Sequence, residues 1–184
     1  FTNKNGGKIR VVAGNYKALF LNSDTRNITI QNEDEFDRFC ISTKNTYSVS
    51  GLAANKTSDS SLPQAKGSDE ERWVYSPEQV WSGAHDDLLI TDDNQTITLT
   101  PEGHIRNCHV KITNAENLQW ISGISASLSS MAGGHHPSCK MESTELVTIP
   151  FETRYTPKEQ TVTGQFTVFG CCPANEVTHN LIIY

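Results

Sequence analysis

Apolar and polar residues alternate along most of this chain, in short runs separated by turn-forming residues. Alternation with a period of two places every second side chain on one face of an extended strand, so each run is a candidate β-strand with one buried face. No amphipathic stretch would make a helix longer than about two turns. The candidate strands are residues 8–12, 16–21, 27–30, 72–75, 87–90, 96–100, 104–112, 120–128, 144–152, 161–169 and 181–184.

This spacing predicts an all-β, antiparallel fold built from β-sandwiches rather than a parallel α/β sheet. The first two candidate strands predict a hairpin. A chain of 184 residues is long enough for one large β-domain or two small ones. We predict two tandem β-sandwich modules, residues 1–99 and residues 100–184, joined near residues 99–101. Within the first module, residues 53–72 contain almost no large apolar side chains and predict a disordered loop.

Both ends of the sequence are abrupt. The chain begins at Phe1 without a methionine, and its last four residues look like the middle of a strand with no polar tail. We therefore expect that native sequence, with one or more terminal strands, is missing at one or both ends. Two interpretations of the last segment stay open, an ordinary core strand without its neighbour and an edge or exchanged strand. The residues concerned are Leu181, Ile182, Ile183 and Tyr184.

Charge and composition narrow the classes of partner. Hydrophobic residues make up 36% of the chain, the net charge is −6 and the pI is about 5.5. Because the net charge is negative, nucleic acids and anionic membrane surfaces are unfavourable partners. No apolar run approaches the roughly 20 residues that span a bilayer. An odd number of cysteines predicts mostly free thiols, although a disulfide in an oxidising compartment stays open. They are Cys40, Cys108, Cys139, Cys171 and Cys172.

His135, His136 and Cys139 form the best metal-like cluster of the sequence. Adjacent histidines on extended backbone point in different directions, and no second ligand pair with the spacing of a zinc site accompanies them. A solvated loop without a functional metal is therefore the favoured interpretation. His104 and His109 are five residues apart on one predicted strand, which places them on opposite faces.

Other catalytic patterns are weaker still. The acidic runs at residues 69–71, 86–87 and 92–93 lie at predicted turns, where solvated carboxylates are the favoured interpretation. A hydrolase with paired carboxylates is the third function class considered, and a pocket holding two of these acids would support it. The sequence has no nucleophile elbow and no phosphate-binding glycine loop. We therefore expect neither an enzyme nor a cofactor.

Exposed tryptophans would indicate a different function. Aromatic rings provide flat platforms on which sugar rings stack, and the sequence holds three tryptophans. A surface glycan-binding lipoprotein is therefore the second function class that we consider. The candidate platform residues are Trp73, Trp81 and Trp120.

Three segments, in order along the chain, resemble fimbrillin-associated anchor and accessory proteins of Bacteroidales. Residues 14–28 (GNYKALFLNSDTRNI) resemble a "glycine–x–tyrosine, strand, asparagine–x–aspartate–threonine" stretch of that family. Residues 128–134 (LSSMAGG) resemble its Leu-Ser-Gly-Met-Ala element, with Ser130 where the family often has glycine. Residues 164–170 (GQFTVFG) are similar to its "glycine–x–phenylalanine … phenylalanine–glycine" strand.

The resemblance implies two Greek-key, transthyretin-like β-sandwich domains in a subunit of a type V fimbria, as anchor, accessory or tip protein. It implies export to the outer membrane and cell surface, with membrane contact only through a lipid anchor upstream of this chain, since none of the five cysteines occupies the anchor position. It also implies other fimbrial subunits as partners, joined by β-strand exchange, and a host or glycan ligand. We therefore favour a structural or adhesive fimbrial subunit.

Overall fold

Thirteen β-strands and two single-turn 3₁₀ helices make up the regular structure in the computed structural model, which describes residues 7–22, 24–46, 68–91, 93–173 and 177–184. No α-helix occurs in these residues, so the predicted all-β class is confirmed. The 3₁₀ helices are Leu118–Trp120 and Pro157–Glu159. The strands are β1 (Gly14–Leu21), β2 (Ile28–Gln31), β3 (Cys40–Thr43), β4 (Arg72–Trp73), β5 (Trp81–Ile90), β6 (Glu102–Gly103), β7 (Arg106–Ile112), β8 (Ser125–Ala132), β9 (Gly134–His136), β10 (Met141–Glu142), β11 (Leu146–Thr156), β12 (Thr161–Val168) and β13 (Leu181–Ile183).

The strands form three sheets. Their orders are β1-β5-β6, then β10-β9-β3-β2, and finally β13-β8-β11-β12-β7 with β4 added beside β11. Every pairing between the described strands is antiparallel except the two-residue pairing of β4 with β11. The antiparallel architecture predicted from the alternating pattern is therefore confirmed.

The long strand β11 organises the first hydrophobic core. Its residues up to Glu152 pair with β8, and its last residues, from Thr153, pair with β12. Residues of β8, β11 and β12 all contribute to this core. The Phe151 and Phe166 rings stack there with their centroids 4.2 Å apart. Burial of such side chains stabilises the fold by roughly 1.5–3 kcal/mol each. The buried members of this core are Val74, Ala126, Met131, Val147, Ile149, Phe151, Phe166 and Val168.

A second core lies between the other two sheets. Leu19 and Leu21 of β1 pack from one side, and alternate residues of β2 and β3 pack from the other, as period-two strands require. Its fully enclosed centre holds Ile41, on one of the two inner strands of the four-stranded sheet. Residues from connecting segments close the core. The buried members are Phe39, Ile41, Val80 and Phe169.

Two predicted strands are wrong. Residues 8–12 form no hairpin with β1, because β1 takes β5 as its partner, with Gly14 opposite Ile90. Residues 96–100 are also not a strand, and the chain pairs with β5 only from Glu102 onward. Pro101 precedes this pairing and has no amide hydrogen to donate. Every residue of both segments is exposed, so neither segment buries an apolar face. Alternation carries no information on whether a hydrogen-bonding partner lies beside a segment.

Several pairings join residues on either side of the predicted boundary at residue 99. β3 pairs with β9, β4 with β11, and β5 with β6. Hydrogen bonding between strands does not by itself define where one folding unit ends. The division into modules of residues 1–99 and 100–184 therefore stays a prediction.

The predicted disordered loop is wrong at its C-terminal end. Ser68 and Glu71 are buried, and Arg72 begins β4; residues 53–67 lie outside the described residues. The Glu71 carboxylate accepts hydrogen bonds from the Ser130 amide (2.9 Å), the Ser130 hydroxyl (2.8 Å) and the Thr148 hydroxyl (2.7 Å). Polar composition predicted solvation here, whereas these three donors satisfy the carboxylate inside the protein.

A pair of histidines links the sheets of the second core. The His104 and His135 rings stack with centroids 4.1 Å apart, and His104 Nε2 lies 2.8 Å from the Ser82 hydroxyl. The pKa of His135 is lowered to about 4, chiefly by burial and also by the nearby His104 and His136, against a smaller opposing effect of Glu102. Burial also lowers the pKa of His104, although Ser82 and Glu102 favour its charged form. Both rings are therefore neutral at pH 7.

Replacing Glu71 by alanine should destabilise the protein by about 3 kcal/mol or more, because three buried donors lose their acceptor. Chemical denaturation of the variant and the parent protein measures this. Glu70→Ala, one residue earlier at an exposed position, is the matched control and should stay within about 0.5 kcal/mol of the parent. Equal stability of the two variants would contradict the proposed role of Glu71.

The histidine pair predicts a loss of stability in mild acid. Between pH 6.5, the ordinary pKa of histidine, and pH 4, the pKa of His135, the unfolded chain binds a proton that the folded chain excludes. The free energy of unfolding should therefore decrease as the pH falls through this window, by on the order of 3 kcal/mol for His135.

Urea denaturation across this pH range tests the effect. His135→Phe keeps an aromatic ring against His104 and removes the titrating group, so its stability should depend less steeply on pH. His85→Gln changes an exposed histidine and should leave the pH dependence of the parent unchanged. An unaltered pH dependence in His135→Phe would refute the assignment.

Candidate functional site: the open edge at β13

The C-terminal strand β13 lies at one edge of the six-stranded sheet. It pairs antiparallel with β8 alone, with Leu181 opposite Leu128 and Ile183 opposite Ala126. The Tyr184 amide continues this ladder by donating to the carbonyl of Ser125 at 2.9 Å. On its outer side β13 has no strand partner among the described residues. Its outward backbone groups are therefore available to another strand.

The two faces of this edge have different chemistry. Leu181 and Ile183 lie opposite residues of the first core and extend its apolar face, yet they are 42% and 44% exposed. On the opposite face the Tyr184 hydroxyl lies 2.8 Å from the Ser127 hydroxyl. Burial raises the pKa of Tyr184, against a smaller opposing effect of this hydrogen bond. A strand added here would find free backbone groups together with incompletely buried aliphatic side chains.

The other end of the same sheet is built differently. β7 closes the strand order there, and its outward side also lacks a partner among the described strands. Its exposed residues include the charged Arg106 and Lys111, which lie on opposite faces of the strand. Charged side chains on an edge strand oppose pairing with another chain. Of these two edges, β13 is therefore the one suited to accept a strand.

The three tryptophans lie on separate elements. Trp73 pairs with Thr148 in the six-stranded sheet and is half-buried. Trp81 begins β5 in the three-stranded sheet and is 46% exposed. Trp120 ends a 3₁₀ helix and is 81% exposed. A role for any of them in glycan binding stays a prediction, and Trp120 is the most accessible of the three.

The interpretation of the histidine–cysteine cluster as a solvated loop is wrong for the histidines. His135 is buried in β9, and His136 is half-buried with its Nδ1 3.0 Å from the carbonyl oxygen of Phe39. Cys139 is exposed. Gly134 allows this arrangement, because a Cβ there would lie 2.5 Å from the Ile41 carbonyl oxygen. No group of three or more His, Cys, Asp or Glu side chains in the described residues has the geometry of a metal site.

Two clefts in the described residues, one over β7 and β12 and one beside β5, are not lined by the acidic runs at residues 69–71 and 86–87 or by Asp93; Asp92 lies outside the described residues. Ser82 and His104 are close enough to form a nucleophile–base pair, but Ser82 has no solvent-accessible surface. Its hydroxyl is therefore a hydrogen-bond partner of the half-buried His104 imidazole. In the described residues no helix is both long enough and apolar enough to cross a membrane.

Comparison with solved structures supports the fold. A candidate adhesin from Bacteroides ovatus is similar with a TM-score of 0.70 at 18% sequence identity, over 97% of this chain and 62% of that protein. This chain therefore spans less than two thirds of that protein's length. A second candidate adhesin from Bacteroides ovatus has a TM-score of 0.48 at 11% identity, over 94% of this chain and 52% of that protein.

Comparison at the level of sequence gives the family. No curated protein matches the chain. Residues 1–152 match the family described as a domain of unknown function, DUF5119. These findings are not specific to fimbrillin-associated proteins, so that part of the resemblance stays a prediction. Because the match covers well over half of the sequence, the chain belongs to the DUF5119 family.

Proposed function

We propose that this protein is a structural or adhesive subunit of a cell-surface fimbria, and that it joins other fimbrial subunits by β-strand exchange at β13. The observation that carries the proposal is the unpaired edge of β13 with the half-exposed Leu181 and Ile183. The fold shared with a candidate adhesin supports an adhesive role. In this proposal the protein acts at the cell surface, held by a lipid anchor upstream of the chain.

The chemistry of the edge favours recognition of an extended strand. A partner strand gains backbone hydrogen bonds to β13 or, after exchange, to β8, and its alternate side chains cover the apolar face. Each large apolar side chain that becomes buried contributes roughly 1.5–3 kcal/mol. Several such contacts along one strand hold two subunits together without covalent chemistry.

Exchange is feasible because β13 is short. It contributes three residues, whereas β8 contains eight. A longer strand from a partner could replace it along β8 and cover Leu128, which is only partly buried. The polar face would remain satisfied if the partner offered a hydroxyl or amide to Ser127, as Tyr184 does here.

Charged residues on β13 should prevent assembly. Leu181→Lys/Ile183→Lys places two ammonium groups on the apolar face of the edge, where they oppose burial beneath a partner strand. Leu89→Lys, which makes the same leucine-to-lysine change at the 59% exposed Leu89 of β5, is the matched control. Mixing the full-length mature protein with the products of neighbouring fimbrial genes should give a detergent-resistant complex, which the double variant loses and the control retains.

Two outcomes would contradict this proposal. The first is that no neighbouring fimbrial protein forms a complex with the unaltered protein. The second is a complex that forms equally well with the double variant. Denaturation of both variants should show stability close to that of the parent, because the altered side chains are already substantially exposed.

Glycan binding is the second candidate function, and the 81% exposure of Trp120 favours it. An aromatic face held out from the surface can stack on a sugar ring. On this hypothesis Trp120→Ala should abolish binding on a glycan array without changing the denaturation midpoint. Trp81→Ala, at the second most exposed tryptophan, serves as the comparison variant. Array binding that survives Trp120→Ala unchanged would rule out Trp120 as the platform.

A further inference from the structure

A cleft of about 340 Å³ with a mixed polar and apolar lining lies over the paired strands β7 and β12. Two cross-strand pairs contribute side chains to it, because Gln165 stands opposite His109 and Thr167 stands opposite Asn107. Side chains two residues apart on a strand share a face, so these four project together. Ser76, from the segment that crosses this face, completes the polar part of the lining.

Residues between the polar pairs close the bottom of the cleft. Cys108 and Phe166 pair with each other, and both pack on the first hydrophobic core. The crossing segment is fixed in place by a hydrogen bond of 2.5 Å from the Thr167 hydroxyl to the carbonyl of Pro77, a fully buried residue. The cleft therefore lies on two paired strands and beside a segment held to them by a hydrogen bond.

Four of the five polar side chains of the cleft make no hydrogen bond to the described residues, whereas the Thr167 hydroxyl donates to Pro77. In the described part of the chain, no hydrogen bond engages the amides of Asn107 and Gln165, the ring of His109 or the hydroxyl of Ser76. Each primary amide offers two donors and an acceptor, and each hydroxyl offers both functions. Such groups match the hydroxyls of a polyol, which likewise donate and accept.

Charge and size restrict the ligand further. No carboxylate, lysine or arginine lines the cleft, and the neighbouring Arg106 points its guanidinium at Glu142, 3.1 Å away. An uncharged ligand is therefore favoured over a phosphate, a sialic acid or an acidic peptide. The volume lies at the lower end of the range of about 300–1,000 Å³ usual for small-molecule sites, which suits one or two pyranose rings.

We propose that the cleft formed by Ser76, Asn107, His109, Gln165 and Thr167 binds a neutral pyranose residue of a glycan. This site is separate from the two described above, because Trp120 does not line it and β13 lies at the opposite end of the sheet order. An experiment can therefore disprove strand exchange at β13 without disproving sugar binding in the cleft, and the reverse.

Nuclear magnetic resonance of the ¹⁵N-labelled chain tests the proposal directly. The side-chain amide signals of Asn107 and Gln165 report on the cleft, and the indole signal of Trp120 reports on the alternative platform. Galactose, mannose, glucose, fucose and N-acetylglucosamine are added separately, with glycerol as a polyol control. We expect the two amide signals to shift with at least one of these sugars and to stay in place with glycerol.

Matched variants then assign the site. Gln165→Ala and Asn107→Ala alter exposed side chains and should each weaken sugar binding about tenfold, equivalent to about 1.4 kcal/mol. Trp120→Ala and Leu181→Lys/Ile183→Lys should leave sugar binding unchanged. The double variant Leu181→Lys/Ile183→Lys distinguishes the two proposals, because it should abolish assembly and leave sugar binding unchanged.

Three results would overturn the proposal. One is the absence of amide shifts with every sugar at roughly 10 mM. Another is a shift of equal size with glycerol, which would identify an unspecific polyol effect. The third is sugar binding that persists in Gln165→Ala and Asn107→Ala but is lost in Trp120→Ala, which would place the sugar on the tryptophan instead.

Discussion

The structure depends most on the shared strand β11, which changes its partner from β8 to β12 between Glu152 and Thr153. A sheet with an apolar face needs a second layer of structure to bury that face. By serving both layers, β11 closes the first core around Phe151 without an intervening loop. Gly164 is part of this arrangement, because a Cβ there would lie 2.6 Å from the Phe151 ring.

Among the described residues, the outermost strands of this sheet, β13 and β7, each pair on one side only. The unpaired sides of these two strands differ in the side chains beside them. β7 presents Arg106 and Lys111 to solvent, which discourages pairing, whereas β13 presents Leu181 and Ile183. An apolar edge is a liability in a protein that must stay alone. It becomes useful in one that assembles with others, so this asymmetry supports an assembly role for β13.

Alternation identified most strands of the structure, and it placed the C-terminal segment in an extended strand. It failed where pairing is decided by distant residues, as at residues 8–12, since β1 pairs instead with β5 some 70 residues later in the chain. Burial of polar groups was also not predictable. The sequence around Glu71 does not show that Ser130 and Thr148 will contact it. The sequence around His135 likewise does not show its contact with His104. The cleft residues were missed for the same reason, because their proximity arises from the register of β7 and β12.

Ser130 shows how a departure from a sequence pattern can be explained by the fold. The residue has a φ of 63°, in the left-handed region that glycine adopts without strain. The family that residues 128–134 resemble often has glycine at this position, and a serine in this conformation costs roughly 1 kcal/mol in backbone strain. Its hydroxyl and amide both donate to the buried Glu71 carboxylate, however, and glycine could supply only the amide. A charge-assisted hydrogen bond contributes about 1.5–3 kcal/mol, so the serine side chain more than offsets the strain of its conformation.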